Sequence, residues 1–376
     1  MYKKIAIYAI CKNDEKFVDK WVESMLEADY ICVMDTGSTD NTFVLLQQWK
    51  EKYPEKIILE QKEIKPWRFD VARNESMKLI PSDTEICFCT DLDELLIKGW
   101  AEDVRAYWNG KCNRMYYKYA WSHLSDGSPA RIFWYDKIHS YGEWLWQFPV
   151  HEALYNINNK ETYGVNMDEN KIYLHHYQDN NKTHRGNYLK LLEDRAKEYP
   201  NDWYGLVYLS HEYYYQGQDE NCINFIINTV LPKIDLNDDF LCIPDLYMFV
   251  GMAFERLGRD VEAEGYYKIS IESANDYREG YLKLASLYLK QNKYVECIKT
   301  INKALYSSYR HYSWLEEDDS WSYLPYDILS LAYFYNGQPE VSLQFAKIAL
   351  SYLPTDERLI NNVASIEKVL GGMNNE

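Results

Sequence analysis

The sequence lacks any long uninterrupted apolar run. Its longest uncharged apolar stretch, Leu246 to Phe254, falls far short of the ~20 residues that a helix needs to cross a bilayer, so no membrane span is expected. A surplus of basic charge is missing too. Against 58 aspartates and glutamates stand 41 lysines and arginines, a formal net charge of −17. That excludes a general affinity for nucleic acid or anionic lipid, because both need a net cationic face. No G-x-G-x-x-G follows the first apolar segment and no G-x-x-x-x-G-K-[ST] occurs anywhere. With neither a dinucleotide fingerprint nor a P-loop, a phosphate-bearing ligand has to be held by metal or by basic side chains. The eight cysteines are scattered without a Cys-x-x-Cys pair, which predicts free buried thiols rather than zinc or a redox couple. Met1-Tyr2-Lys3-Lys4-Ile5 runs into an alternating pattern with no cleavable apolar core, and a cytoplasmic location is the resulting expectation.

What is present is 376 residues, 47% hydrophobic and 26% charged, the balance of a folded protein with two or three domains. Lys4–Ile10, Tyr30–Met34, Lys56–Glu60 and Glu85–Cys89 read as strands, and Glu15–Ala28, Thr42–Lys52 and Asp70–Ile80 between them as helices. This alternation predicts a mostly parallel sheet covered on both faces. From about Trp100 to Tyr173 the periods fade among many tryptophans and tyrosines, and short strands with long loops are expected there.

Beyond Pro200 the pattern is helical and repeats itself. With Gly217, Gly258, Asn292 and Gly337 in register, Leu209, Val250, Leu284 and Leu329 align eight residues earlier, and Tyr213, Phe254, Tyr288 and Tyr333 four residues earlier. Small residues Cys222, Ala263, Cys297 and Ser342 follow five positions later, and Thr229, Ser270, Ala304 and Ala349 twelve positions later. Large apolar residues before a turn, and small ones where a second helix crosses closely, resemble the tetratricopeptide repeat. The turns are 41, 34 and 45 residues apart, so two intervals carry insertions.

Chemistry gathers where strands end, because open α/β sheets bind ligands at the carboxyl ends of their strands. The second strand ends in Asp35 and the fourth in Asp91-Leu92-Asp93. Two acids separated by an apolar residue at the mouth of a buried strand can offer hard oxygen ligands to Mg²⁺ or Mn²⁺, the other positions being filled by phosphate oxygens and water.

Three segments in the first half resemble family 2 glycosyltransferases of the GT-A fold: Ile10-Cys11-Lys12-Asn13-Asp14-Glu15, Asp35-Thr36-Gly37-Ser38-Thr39-Asp40-Asn41-Thr42 and Asp91-Leu92-Asp93-Glu94. Ala72-Arg73-Asn74-Glu75, Arg131-Ile132-Phe133, Val150-His151-Glu152 and Leu174-His175-His176-Tyr177-Gln178 add similarity to a bacterial branch with C-terminal helical repeats. That branch includes enzymes of lipopolysaccharide assembly and of bacteriocin glycosylation. The resemblance implies a Rossmann-like α/β GT-A catalytic domain over residues 1–182, a linker helix over 183–200 and an all-α tetratricopeptide-like domain over 201–376.

It also implies roles. Asp35, Asp40, Arg68, Arg73, Asn74 and Asp91 fall where the family contacts a nucleotide-sugar donor, with a UDP-sugar as first choice. Asp93 matches the direct metal ligand, His176 fits a late histidine ligand better than His175, and the metal is Mn²⁺ or Mg²⁺. Glu152 reads as the general base with His151 positioning it, or alternatively as a plain ion-pair partner. Arg131 reads as a phosphate or acceptor contact, or as a strand-edge ion pair. Glu94 and the Leu95-Leu96-Ile97 segment read as structural. The implied activity is inverting transfer of a sugar to a polypeptide or saccharide acceptor held between catalytic domain and repeats, with self-association through the repeats left open. Two alternatives remain at this level: a non-catalytic scaffold that binds nucleotide sugars, and a phosphatase using Asp91 as nucleophile. Trp67, Trp121, Trp144 and Trp146 lie in the half where substrates belong, although most aromatic residues are expected in the core.

Overall fold

The computed structural model describes residues 2–109, 111–123, 127–158, 161–179, 188–234, 242–308, 310, 315 and 317–373. The chain divides into two compact units, Met1–Arg195 and Ala196–Glu376. Of the expected linker segment, residues 183–187 lie outside the described ones and Tyr188–Glu198 forms a helix, α5.

The first unit begins with β1 (Ile5–Cys11), α1 (Val18–Met25), β2 (Tyr30–Asp35), α2 (Thr42–Lys52), β3 (Ile57–Gln61), α3 (Phe69–Met77) and β4 (Ile86–Cys89). All seven residues of β1 are buried, as expected for a central strand between two covered faces. It pairs in parallel with β2 on one side and β4 on the other. Val18, Trp21, Val22 and Met25 form the buried stripe of α1, and their spacing of three and four residues is what puts them on one face.

The sheet stays mostly parallel, as expected, but three antiparallel pairings among the described residues enter its second half. After β5 (Glu94–Leu96) and α4 (Trp100–Tyr107) come β6 (Arg114–His123) and β7 (Pro129–Ser140), strands of 10 and 12 residues where short strands and long loops were expected. β7 lies antiparallel to both β4 and β6. With β8 (Trp144–Gln147), β9 (Ala153–Asn156), β10 (Gly164–Asn166) and β11 (Ile172–His176), the sheet reads β3-β2-β1-β4-β7-β6-β11-β5, with β10 on β6, and β8-β9 form a separate ribbon. Tyrosine hides the alternation in β6. Met115, Tyr117 and Tyr119 face inward, while Tyr116 and Lys118 between them are only half-buried, and a residue type on both faces erases the period of two.

Trp144 and Trp146 are core residues. The Trp146 indole donates to Tyr8 Oη at 2.9 Å. The fully buried His139 has Nε2 2.8 Å from that hydroxyl and Nδ1 2.9 Å from the Ser140 carbonyl. Since a carbonyl only accepts, Nδ1 carries the proton, Nε2 accepts from Tyr8, and the ring is neutral.

The second unit is a run of helix pairs: α6 (Trp203–Tyr215) with α7 (Asp219–Phe225), α8 (Cys242–Arg256) with α9 (Asp260–Ser273), α10 (Arg278–Lys290) with α11 (Tyr294–Tyr306), α12 (Leu324–Tyr335) with α13 (Pro339–Tyr352), then α14 (Glu357–Met373). Its turns repeat at atomic level. Gly217, Gly258, Asn292 and Gly337 all take φ between 60° and 74°. The next residue in each turn donates its N–H to the carbonyl of the aligned aromatic: Gln218 to Tyr213, Arg259 to Phe254, Lys293 to Tyr288 and Gln338 to Tyr333, at 2.8–2.9 Å. This six-to-one bond closes a helix that ends in a left-handed residue. Cys222, Ala263, Cys297 and Ser342 are fully buried, so the small positions do sit at the crossings. The first copy deviates: α7 passes into a π-helical turn over Ile226–Val230, and Val230 rather than Thr229 is buried.

Two outcomes follow from these geometries. Open space surrounds Gly258, so Gly258→Ala should cost ~1 kcal/mol through backbone conformation alone, while Asn292→Gly should be near neutral; urea unfolding reads both. Burial pushes His139 down to about 4. A depressed folded value gives stability that is complete above the unfolded value of ~6.5 and lost as pH falls toward 4. Urea unfolding at pH 7 and 4.5 should show wild type losing up to ~3 kcal/mol more than His139→Gln over that interval.

Candidate active site

β2 and β4 deliver their acids to one rim of the parallel half of the sheet. Asp35 is fully buried. Its Oδ1 accepts the N–H groups of Gly37 and Ser38 at 2.9 Å and the Gln61 amide at 3.0 Å, folding residues 36–39 over the strand end. Gly37 has φ +101°, which explains glycine there. Asp40 accepts the Thr42 N–H at 3.0 Å and its hydroxyl at 2.6 Å. Burial works to raise its pKa, but the Thr42 donors outweigh it and the net shift is downward. Both acids therefore build the loop that leads into α2.

Helix α3 supplies the central cation. Arg73 is buried. Its Nε donates to Glu152, and its two terminal nitrogens reach Asp91 at 3.0 and 3.2 Å. Lys137, also buried, comes from β7, one place beyond the Phe88↔Ile138 pair of the β4–β7 ladder. Its Nζ lies 3.2 Å from Asp91 and 3.7 Å from Glu94. Glu94 in turn accepts the Asp91 N–H at 2.9 Å. Burial alone would raise the Asp91 pKa, yet Arg73 and Lys137 hold it well below the usual carboxylate range. Burial, and then the neighbouring acids against the pull of Lys137, push Glu94 up.

Asp93 takes a different partner. β5 pairs antiparallel with β11, setting Glu94 opposite His176, and the Tyr177 N–H donates to the Asp93 carbonyl at 2.8 Å. His176 Nε2 then lies 3.2 Å from Asp93 Oδ2, with Nδ1 3.2 Å from the Trp121 carbonyl. Burial acts to lower the His176 pKa, but the Asp93 hydrogen bond and charge raise it overall. His175 points to the other face, its Nδ1 3.0 Å from His123 Nε2, as alternation along a strand requires.

The other expected residues fall outside these two groups. The Asn74 amide accepts the Trp146 N–H at 2.9 Å and donates to the Trp146 carbonyl at 2.8 Å, a side-chain clamp on β8. Arg68 makes a two-pronged pair with Asp70 at 3.0 and 2.9 Å. His151 is exposed with φ +50°. Its carbonyl and that of Val150 both accept Arg195 Nη1 at 2.9 Å, which fixes the corner preceding Glu152. Lys137 was absent from the expected set. Its one signal is membership of the Arg131, Phe133, Tyr135, Lys137 alternation, which places it on the β7 face shared with the acids.

Among the described residues no group of three histidine, cysteine or acid side chains gathers as a protein cage for metal. Asp93 and His176 nevertheless form an oxygen and nitrogen pair, partly exposed. Such a pair fits a hard cation that takes its remaining ligands from phosphate oxygens and water.

Residues 7–155 match the family model described as glycosyl transferase family 2. The first unit carries a glycosyl transferase family 2 domain. The match runs from β1 to β9 and includes Arg73, Asp91, Asp93 and Glu152. A curated relative, the lipopolysaccharide core biosynthesis glycosyltransferase LpsC of Rhizobium meliloti (strain 1021), is 31% identical over 99 residues, 26% of this chain and 34% of its own length. The chain thus spans about a third of that relative. Similar solved structures include part of a TPR repeat-containing protein from Cytophaga hutchinsonii (13% identity, 47% of this chain, 63% of that one, TM-score 0.38). A thermophilic TPR protein from Thermus thermophilus is another (19% identity, 47% and 88%, TM-score 0.36). The repeat assignment rests on the turn register and burial of the second unit. No described helix is long and apolar enough to cross a membrane.

Lys137→Met should destabilise the protein by ~3 kcal/mol at pH 7, because it strips the buried Glu94 and the partly buried Asp91 of a shared cation. The depressed Asp91 makes its full contribution above the ordinary carboxylate range and loses it only as pH falls below that range, so the deficit should persist near pH 5 and shrink when unfolding is repeated near pH 2.

Proposed function

We propose that this protein is a glycosyltransferase that takes a sugar from a nucleotide diphosphate, with a UDP-sugar as donor, by inverting displacement. The observation that carries the reading is the pairing of Asp93 with His176 at 3.2 Å beside the Arg73-bridged acids Asp91 and Glu152. Asp93 and His176 would hold Mn²⁺ or Mg²⁺, whose chemistry when bound is Lewis-acid stabilisation of a diphosphate leaving group. Glu152, aligned by Arg73, is the base that accepts the acceptor's proton as its heteroatom attacks the anomeric carbon. Asp91, held by Arg73 and Lys137, presents fixed negative oxygens to ribose hydroxyls or metal-bound water. Asp35 and Asp40 shape the loop proposed to cover the nucleoside.

For the acceptor, a polypeptide is the first choice. The repeat unit by itself has a groove of about 420 Å³ lined by Tyr214, Met252, Arg256 and Lys283 among others, and stacked repeats use such surfaces for extended ligands.

Calorimetry and donor hydrolysis separate these roles. Asp93→Ala and His176→Ala should each weaken Mn²⁺-dependent UDP binding at least tenfold and remove hydrolysis. Glu152→Gln should keep UDP affinity within about threefold while transfer falls by ~10²-fold or more. Intact hydrolysis in Asp93→Ala would refute the metal role, and UDP binding without turnover of any sugar nucleotide would favour a non-catalytic scaffold.

A further inference from the structure

One face of the first unit's sheet carries a row of rings that passes through the Asp93–His176 pair. Lys137 Nζ lies 4.8 Å from the Tyr135 ring centre, and Tyr135 stacks on Tyr119 at 5.0 Å. Tyr119 lies 6.2 Å from the His176 imidazole, which is 6.3 Å from the Trp121 indole. Strand pairing produces the row. Tyr117 opposes Tyr135 and Tyr119 opposes Phe133 across β6 and β7, while Ala120 opposite His175 sets Trp121 beside His176 on β11.

Most of the row is core. Tyr119 is only 4% exposed, whereas Trp121 is 38% exposed. The Arg131 guanidinium lies over one side of this indole, 5.6 Å from the ring centre, and the exposed remainder of the ring is the part a ligand can meet. Its main chain is tied to the acidic tip as well, since His176 Nδ1 meets the Trp121 carbonyl at 3.2 Å while Nε2 faces Asp93. The indole is thus set at a fixed distance from the residues that would hold the diphosphate. In a nucleotide diphosphate sugar, the group that follows the second phosphate is the hexose. With the diphosphate at Asp93 and His176, the hexose is the part of the donor that arrives within reach of a ring 6.3 Å away. The apolar C–H face of a pyranose suits an indole, whose face is electron-rich.

We propose that Trp121 is the stacking platform for the donor hexose and so a determinant of which sugar is accepted, an inference that rests on the donor reading above. The discriminating measurement is calorimetry of the full chain with Mn²⁺, titrating UDP and separately UDP-glucose, UDP-galactose and UDP-N-acetylglucosamine. Wild type should bind at least one of the three sugars more tightly than UDP. Trp121→Leu should bind UDP unchanged, which also shows that it folds, yet lose about tenfold affinity for that UDP-sugar, and Trp121→Phe should recover part of the loss. The proposal is overturned if Trp121→Leu keeps the wild-type ratio of UDP-sugar to UDP affinity, or if no UDP-sugar outbinds UDP in wild type. Failure of wild type to bind UDP at all would instead remove the donor reading and this inference with it.

Discussion

A guanidinium buried among carboxylates is the constraint on which the first unit's site depends. Removing Arg73 from water is costly, and burial of a cation is tolerated only where acids and further hydrogen bonds compensate. Here Asp91 and Glu152 provide them from opposite sides. Those acids come from parts of the chain far apart in sequence, the end of β4 and the corner before β9, so the cation that needs them also fixes their separation. Arginine suits this task better than lysine because its planar fork can address two carboxylates at once. Lys137 completes the arrangement from a third strand with a compact charge shared by Asp91 and Glu94.

This charge balance accounts for the different behaviour of two acids only two residues apart. Asp91 lies between buried cations and its charge is already compensated within the protein. Asp93, one strand turn further out, meets a histidine instead, and an imidazole is a compensation that a metal can replace. The mixed sheet makes that difference possible. Antiparallel β7 brings Lys137 to β4, and antiparallel β5 and β11 bring His176 to Asp93. A wholly parallel sheet would have left the acidic tip with nothing but helix termini around it.

Much of this was legible in the sequence where a single position carries its own reason. Strand-end acids mark a rim, and the four turn residues of the repeats reveal their register because one backbone conformation demands glycine or asparagine at each. β6 and β7 were hidden because tyrosine satisfies both a core face and a wet one. Lys137 was hidden for a related reason: a lysine in a strand reads as a solvated residue, and only the β4–β7 register shows that it lies over acids. The match of the Asn74 amide to a backbone donor and acceptor of Trp146 is likewise something that no sequence spacing discloses.

The two units solve stability differently, and the difference bears on where chemistry can reside. In the repeats each crossing is closed by a small residue with no exposed surface, Cys222, Ala263, Cys297 or Ser342, charge pairs such as Lys268 with Glu264 lie on the outside, and the buried acids Asp219, Asp245 and Asp327 are paired with Arg256, His211 and Arg358. Packing of this kind leaves the surface side chains free to vary without disturbing the fold. At the first unit's site the charges of Arg73, Lys137 and Glu94 are inside the fold and hold strand ends together, so changing one alters both stability and geometry. A site that must align a base, a leaving group and a sugar needs the second arrangement, because alignment to within a fraction of an ångström comes from groups locked by buried, mutually compensating charges rather than from side chains free in water. The repeat unit, with its separable surface, is correspondingly suited to recognition.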